Sequence, residues 1–242
     1  ALKSACLARP AREEPAFAPL FARSVAEVDP LLGRCLAVER WGYEEDWPYA
    51  RAGAVVVYGS DQSVEAVRRL VPGGVRFLGH GHKISFAVVA REAAVVETAQ
   101  RLALDVAMYD QQGCVSPHMA FVERGGPLSP HAFAEACGEA LAALEREMPR
   151  SRLSQEEAVA LRTARDEAEF TADAVFGSQG DLAWTVVHCE APAFMPSPLN
   201  RLIRTYAVDA IEAVVEIVRP YRHYLQTVAF AGPAERREEL AE

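Results

Sequence analysis

Cys114 lies in the string Tyr109-Asp110-Gln111-Gln112-Gly113-Cys114-Val115-Ser116-Pro117-His118, a polar break between a run with helical apolar spacing and the strand-like Met119-Ala120-Phe121-Val122-Glu123. A thiol held there by Gly113 and Pro117, with amide and imidazole groups beside it, is placed to attack an acyl carbon. Such chemistry needs exposure, a stabilised thiolate and donors near the developing oxyanion. The competing reading is a small core hydrophobe, a common fate of an unpaired cysteine. His118 is the candidate base, although Pro117 leaves its orientation toward Cys114 unreadable, and a histidine at a strand edge is more often structural. Asp110 either caps the end of the loop or orients a neighbour, and is read as structural.

Two other clusters carry polar chemistry. Gly59-Ser60-Asp61 closes the apolar run 54–58 and opens a helix, so backbone N–H groups and the helix dipole can face an anionic group such as a cofactor phosphate. It is not GxGxxG, and the alternative is an ordinary turn with Ser60 or Asp61 capping the helix. Gly79-His80-Gly81-His82-Lys83 offers close backbone approach together with two imidazoles and an ammonium, making His82 and Lys83 candidate donors to a phosphate or carbonyl. A solvated turn is the plain alternative, and the cluster lacks the cysteine or carboxylate partners of a zinc site. His131, His188 and His223 form no constellation. Tyr221-Arg222-His223-Tyr224 mixes aromatic and basic residues, a weak sign of nucleic acid in an acidic chain.

The composition limits what these groups can serve. With 242 residues, 50 % hydrophobic and 24 % charged, the chain has the makeup of a soluble globular protein. A net charge of -9 and a pI near 5.3 oppose wrapping around nucleic acid or lying on an anionic membrane. No apolar run reaches the ~18–20 residues that span a bilayer, and no signal pattern opens the chain, so a cytoplasmic protein is expected. The five cysteines are scattered without a CxxC pair, which argues against a disulfide scaffold or structural zinc. The chain opens on Ala1, and Ala1-Leu2-Lys3 reads like the end of a strand already under way, as in part of a longer polypeptide.

Periodicity supplies the elements that position the clusters. Strand, turn and helix are expected over 54–70, a strand at 75–78 ending in a Gly/His turn, a strand at 84–90 and a helix over 93–108. The largely apolar strands favour a sheet covered on both faces. Ser129-Pro130 and Ser154-Gln155-Glu156-Glu157 open two helices, whose alanine-rich faces suggest two packed surface helices. Strands at 184–189, 202–208 and 225–231, a helix over 209–218 stopped by Pro220 and a helix start at 234–242 complete the reading. We find no internal repeat.

Taken together, Val56-Val57-Tyr58-Gly59-Ser60-Asp61, Gly79-His80-Gly81-His82-Lys83-Ile84-Ser85-Phe86, the Cys114 string and Tyr221-Arg222-His223-Tyr224-Leu225-Gln226-Thr227 resemble the LuxC-type acyl-CoA reductases of the aldehyde dehydrogenase superfamily. The resemblance implies an α/β, aldehyde dehydrogenase-like fold. A partial Rossmann-type cofactor domain (1–83) would precede an α/β catalytic domain (84–220) and a truncated C-terminal strand and helix start (221–242). Under it Ala1 falls inside the cofactor domain, and the segments before Ala1 and after Glu242 are absent.

The same resemblance implies NADPH as cofactor and a fatty acyl-CoA or acyl-carrier thioester as substrate. Cys114 matches the cysteine that forms the acyl thioester, with His118, His82 and Lys83 as polar partners. Gly59 and Ser60 match the glycine-serine turn at the cofactor, and Lys3-Ser4 the strand end whose lysine reaches the adenosine ribose. Self-association or an acyl-donating protein partner is expected, with no nucleic acid, membrane span or metal. Members that oxidise aldehydes carry a glutamate before their glycine-glycine-lysine, where it activates the hydrolytic water. Aligning that lysine with Lys83 puts Gly79 in its place, which suits a reductase. Two rivals stay open: an inactive remnant of the same fold, and a cysteine acyltransferase or thioesterase without hydride transfer.

Overall fold

The apolar runs of the sequence become parallel strands, because only a sheet covered on both faces buries consecutive apolar residues. The structure is a computed structural model that describes residues 4–12, 14–42 and 44–241. The chain divides between residues 82 and 83 into two units.

In the first unit, β1 (Cys6–Ala8), α1 (Phe17–Val28), α2 (Pro30–Gly33) and β2 (Leu36–Val38) are followed by α3 (Trp47–Ala50), β3 (Ala54–Tyr58), α4 (Asp61–Leu70) and β4 (Arg76–His80). β1 pairs in parallel with β2, and β3 with β4. Asp29 caps α2 by accepting from the N–H groups of Leu31 and Leu32 (2.9 and 3.1 Å). The strand expected at 75–78 runs on through Gly79 and His80, since both pair with β3 (Val57 with Gly79, Tyr58 with His80). The Tyr58 and His80 rings stack there at 4.7 Å. The strand end read at residues 1–3 lies outside the described residues.

The second unit holds β5 (Ile84–Val89), α5 (Val96–Ala107), β6 (Pro117–Glu123), α6 (Pro130–Glu147), α7 (Gln155–Thr171), β7 (Ala174–Gly177), β8 (Thr185–Cys189), β9 (Leu202–Val208), α8 (Ala213–Val218), β10 (Leu225–Ala231) and α9 (Ala234–Ala241). Six strands form one sheet in the order β10-β5-β6-β9-β8-β7, all parallel except the edge strand β7. The period of two sends Ala87, Val89, Ala120, Val122 and Ile203 to one face, beneath α5 and α6. Phe86, Val88, Met119, Phe121 and Tyr206 go to the other, with Val214 of α8. On that second side Val187 and Leu202 meet Leu161, Ala164 and Ala168 of α7.

α6 and α7 each pack on the sheet, over opposite faces. Their caps are as read, with Ser129 Oγ accepting from Ala132 N and a full capping box between Ser154 and Glu157. Among the described residues, no helix is long and apolar enough to cross a membrane.

The end of β6 is tied down by charge. Glu123, wholly buried, accepts hydrogen bonds from the Arg91 N–H (2.9 Å), the Arg91 guanidinium (2.6 Å) and both terminal nitrogens of Arg236 on α9 (2.5 and 2.9 Å). Burial opposes ionisation of this carboxyl, but the two arginines outweigh it and hold its pKa at about 2, below the ordinary 4.5. A carboxylate with a depressed folded pKa contributes stability above its unfolded pKa and loses it as pH falls toward the folded value. We therefore expect thermal stability to decline from about pH 5 toward pH 2, with on the order of 3 kcal/mol from this group. Glu123→Gln should melt lower at pH 7 and show a flatter acid limb, as calorimetry across that range would record. An acid limb unchanged in the variant would remove Glu123 as its source.

Candidate active site

The loop that carries Cys114 begins where α5 ends. Tyr109, Asp110 and Gln111 all take left-handed backbone angles (φ 51°, 51° and 66°). Leu199, Asn200 and Arg201, just before β9, do the same (φ 69°, 55° and 65°). For residues with a Cβ this conformation costs roughly 1–2 kcal/mol each, so both turns must be held by their surroundings.

They hold each other. Asn200 N donates to Asp110 O (3.0 Å), and the Arg201 guanidinium grips the Asp110 carboxylate, with Nε and Nη2 each 2.8 Å from Oδ1. Arg201 is only 2 % exposed, and its Nη1 also donates to Glu145 Oε2 (2.8 Å) and Met148 O (3.0 Å). Asp110 Oδ2 accepts from the N–H (3.0 Å) and the hydroxyl of Ser151. The buried pair thus has its lone pairs and protons satisfied, the condition under which such a pair is tolerated.

Gln111 closes the loop that carries the thiol. Fully buried, it donates from Nε2 to Pro117 O (2.7 Å) and accepts at Oε1 from Ser197 Oγ (3.4 Å), so its side chain bridges residues 112–116. Gln112 donates to Asn200 Oδ1 (3.3 Å) and to Glu157 Oε1 (3.2 Å), the carboxylate of the α7 capping box. Inside the loop Ser116 N donates to Gly113 O (3.0 Å), and Ser85 Oγ from β5 donates to Cys114 O (2.8 Å). Cys114 itself is exposed. Its peptide is fixed while its thiol faces outward, which is what acyl transfer requires.

The other candidates fall into place less closely. β6 begins at Pro117, so His118 is a strand residue, half-buried, on the α5/α6 side with Ala120 and Val122. The exposed Lys83 donates from Nζ to His223 O (2.6 Å), and Ile84 N donates to Tyr224 O (2.7 Å), so the Tyr221–Tyr224 block anchors the start of β5. In the first unit, Ser60 caps α4 by accepting from Ser63 N (3.2 Å), directly after Gly59 at the carboxyl end of β3. Asp61 Oδ1 accepts from the backbone N–H of the exposed His82 (2.9 Å). A Cβ built on Gly79 would come within 2.6 Å of Val64 Cγ1 and 2.8 Å of the Phe77 ring. Ser4 is exposed ahead of β1, and Lys3 lies outside the described residues. His188 is a satisfied core histidine between Thr205 Oγ1 and Glu190 Oε1, each at 3.1 Å.

The sequence reading gives no role of their own to Ser85 and Gln111, which it quotes only within longer blocks, or to Asn200 and Arg201. The one sequence sign of the last two is a polar Asn-Arg step directly ahead of an apolar strand.

The cysteines differ sharply in environment. Burial pushes the Cys137 thiol up to about 12 and raises that of the half-buried Cys189, whereas Cys6, Cys35 and Cys114 are exposed. Since alkylation proceeds through the thiolate, brief iodoacetamide treatment of the native chain at neutral pH should label Cys6, Cys35 and Cys114 first. Cys137 should react only on unfolding. Peptide mapping would read the order, and early labelling of Cys137 would contradict the burial described.

Comparison with known proteins follows the same lines. The profile of the acyl-CoA reductase (LuxC) family matches residues 2–242. The chain is 24 % identical over 235 residues to a long-chain acyl-protein thioester reductase of Vibrio harveyi, covering 94 % of this chain and 48 % of that protein. It is 26 % identical over 238 residues to the protein of the same name from Photorhabdus luminescens, with the same coverage. The chain spans about half the length of these curated relatives.

Among solved structures, an NAD-dependent benzaldehyde dehydrogenase from Corynebacterium glutamicum superposes with a TM-score of 0.74 at 18 % identity, covering 98 % of this chain and 55 % of that one. An NAD-dependent aldehyde dehydrogenase from Burkholderia multivorans gives 0.70 at 12 % identity, covering 98 % and 48 %. The fold is therefore that of the aldehyde dehydrogenases, and the match along nearly its whole length makes this chain a member of the acyl-CoA reductase (LuxC) family.

Proposed function

We propose that this chain carries the acyl-transfer centre of a fatty acyl thioester reductase, with Cys114 as the nucleophile. The observation that supports this most is the exposed thiol on a loop closed by the buried Gln111 and fixed at its own carbonyl by Ser85. The relatives' names point to a long-chain acyl group on a protein thiol as donor. Coenzyme A is the other thiol of the same chemistry.

In the proposed step Cys114 Sγ bonds to the acyl carbon, the donor's C–S bond breaks, and the donor leaves as a thiol carrying the proton that Cys114 gives up. The Cys114 N–H is a donor to the oxyanion formed on the way. His118 and His82 are the imidazoles we assign as proton partners. Gly59 and Ser60 would hold a reduced nicotinamide cofactor, with Ser4 and, from outside the described residues, Lys3 at its adenosine end. Their setting fits that group. The turn lies at the carboxyl end of parallel β3 and opens α4, whose first-turn amides favour a polyanion. Asp61, the nearest opposing charge, is turned onto the His82 N–H. When bound, the cofactor, which we take as NADPH, supplies the hydride that turns the thioester into an aldehyde and frees the thiol.

Gly79 supports reduction over hydrolysis. Residue 79 has no side chain, so no carboxylate stands at the position that alignment gives to the water-activating glutamate of aldehyde-oxidising relatives, and a Cβ there would meet Val64 Cγ1 and the Phe77 ring unless they shifted.

Intact mass after incubation with a long-chain acyl thioester, then with NADPH, tests this reading. We expect an acyl adduct that is absent in Cys114→Ala and is discharged as aldehyde. Discharge as free acid without NADPH consumption would favour a thioesterase. An adduct retained by Cys114→Ala would defeat the assignment.

A further inference from the structure

We propose that Asp110 and Arg201 are positioning residues for the Cys114 nucleophile: their buried ion pair locks the two left-handed turns together and so sets the orientation of the Cys114 peptide for acyl transfer. The inference rests on the reading of Cys114 as the acyl acceptor.

Three features separate this from ordinary stabilisation. A buried ion pair is a poor source of net stability, since well-packed apolar residues of similar volume often do as well, whereas it is exacting about geometry. The geometry imposed is unusual: Asp110 and Arg201 both have positive φ (51° and 65°), and both sit in the middle or at the end of a left-handed triplet. Finally, the pair lies at the only covalent entry to the loop from α5. From Asp110 the chain passes to Gln111 and Gln112, each held by its own side chain to Pro117 or to Asn200 and Glu157, and then to Gly113 and Cys114. If Asp110 leaves the left-handed region, both glutamine side chains lose their aim. The Cys114 N–H turns with them.

Neither Asp110 nor Arg201 needs to touch substrate for this. Arg201 divides its fork between Asp110 Oδ1 on one side and Glu145 and Met148 O on the other. A lysine keeps the charge but cannot span both. Asp110→Asn keeps the shape but removes the charge that the fork grips.

The test compares two reactions of one thiol. Alkylation by iodoacetamide needs only an exposed thiolate. Acylation by a long-chain acyl-CoA also needs the oriented oxyanion donors. For Arg201→Lys and Asp110→Asn we expect Cys114 acylation to slow by at least about tenfold. Alkylation of Cys114, referenced to the exposed Cys6 and Cys35 of the same molecule, should stay within about threefold of the wild type. Melting curves recorded alongside report retention of fold.

Unchanged acylation in both folded variants would overturn the proposal. So would parallel loss of both reactions with a lowered melting point, which would leave the pair a stabilising role alone. A wild-type chain that alkylates at Cys114 but accepts no acyl group would instead refute the reaction assigned to Cys114, a result visible before any variant is made.

Discussion

The Cys114 loop lies at the amino-terminal ends of three neighbouring parallel strands, and the register of β6 between β5 and β9 brings those ends level. Ser85 is opposite Pro117, and Met119 is opposite Arg204. That register puts Ser85 Oγ against Cys114 O, and sets the turn before β9 beside the turn before the Cys114 loop. It is itself enforced by burial. Moving β6 by one residue would exchange Met119 and Phe121 for Ala120 and Val122 across the sheet, filling a face packed for small side chains with large ones. Apolar packing far from the thiol thus decides where the polar contacts fall.

The polar contacts then supply what packing does not. Apolar side chains press elements together but do not select a backbone conformation that L residues avoid. The two left-handed triplets persist because each brings directional bonds to the other: a peptide N–H to a carbonyl, a guanidinium to a carboxylate, an amide to an amide. The same division appears at the other end of β6. There the buried Glu123 joins Arg91 and Arg236, fastening α9 through charge rather than through a large apolar face. β6 is thus held at its end by a buried ion pair, at its start by the Gln111 amide on Pro117 O, and along its middle by apolar contact.

What could be read from the sequence follows from interaction range. Strands over 202–208 and 225–231 and the caps at Ser129 and Ser154 depend on residues within a few positions of one another, and the structure reproduces them. The four blocks that carried the family resemblance also singled out Cys114 and its loop. The partners that hold the loop were hidden because they are remote: Arg201 is 91 residues from Asp110, and His223 is 140 residues from Lys83. β1 and β2, with three residues each, and the four-residue β7 are too short to show a period. The turn read at Gly79-His80 became strand because pairing with β3 outweighed the local glycine signal. Long-range pairing also placed α6 and α7 on opposite sides of the sheet, which two alanine-rich patterns cannot distinguish.

The constraint at Gly79 has a different origin from those around Cys114, and the difference bears on the proposed chemistry. A reductase of acyl thioesters needs its acyl-enzyme to outlast attack by water, which requires that no group nearby serve as a base. One way to meet that need is a neutral side chain at the position in question, which a single substitution could reverse. Here residue 79 has no side chain at all, and a Cβ would come within 2.6 Å of Val64 Cγ1 and 2.8 Å of the Phe77 ring, so those side chains would have to give way. Val64 is part of the helix that Ser60 caps, so the contact belongs to the same strand-turn-helix unit as the turn we propose for the cofactor. A glutamate at residue 79 would require Val64 or Phe77 to shift, on the helix and strand that flank the turn at Gly59 and Ser60. On the proposed reaction, a glutamate there would therefore strain the same strand-turn-helix unit that we assign to the cofactor.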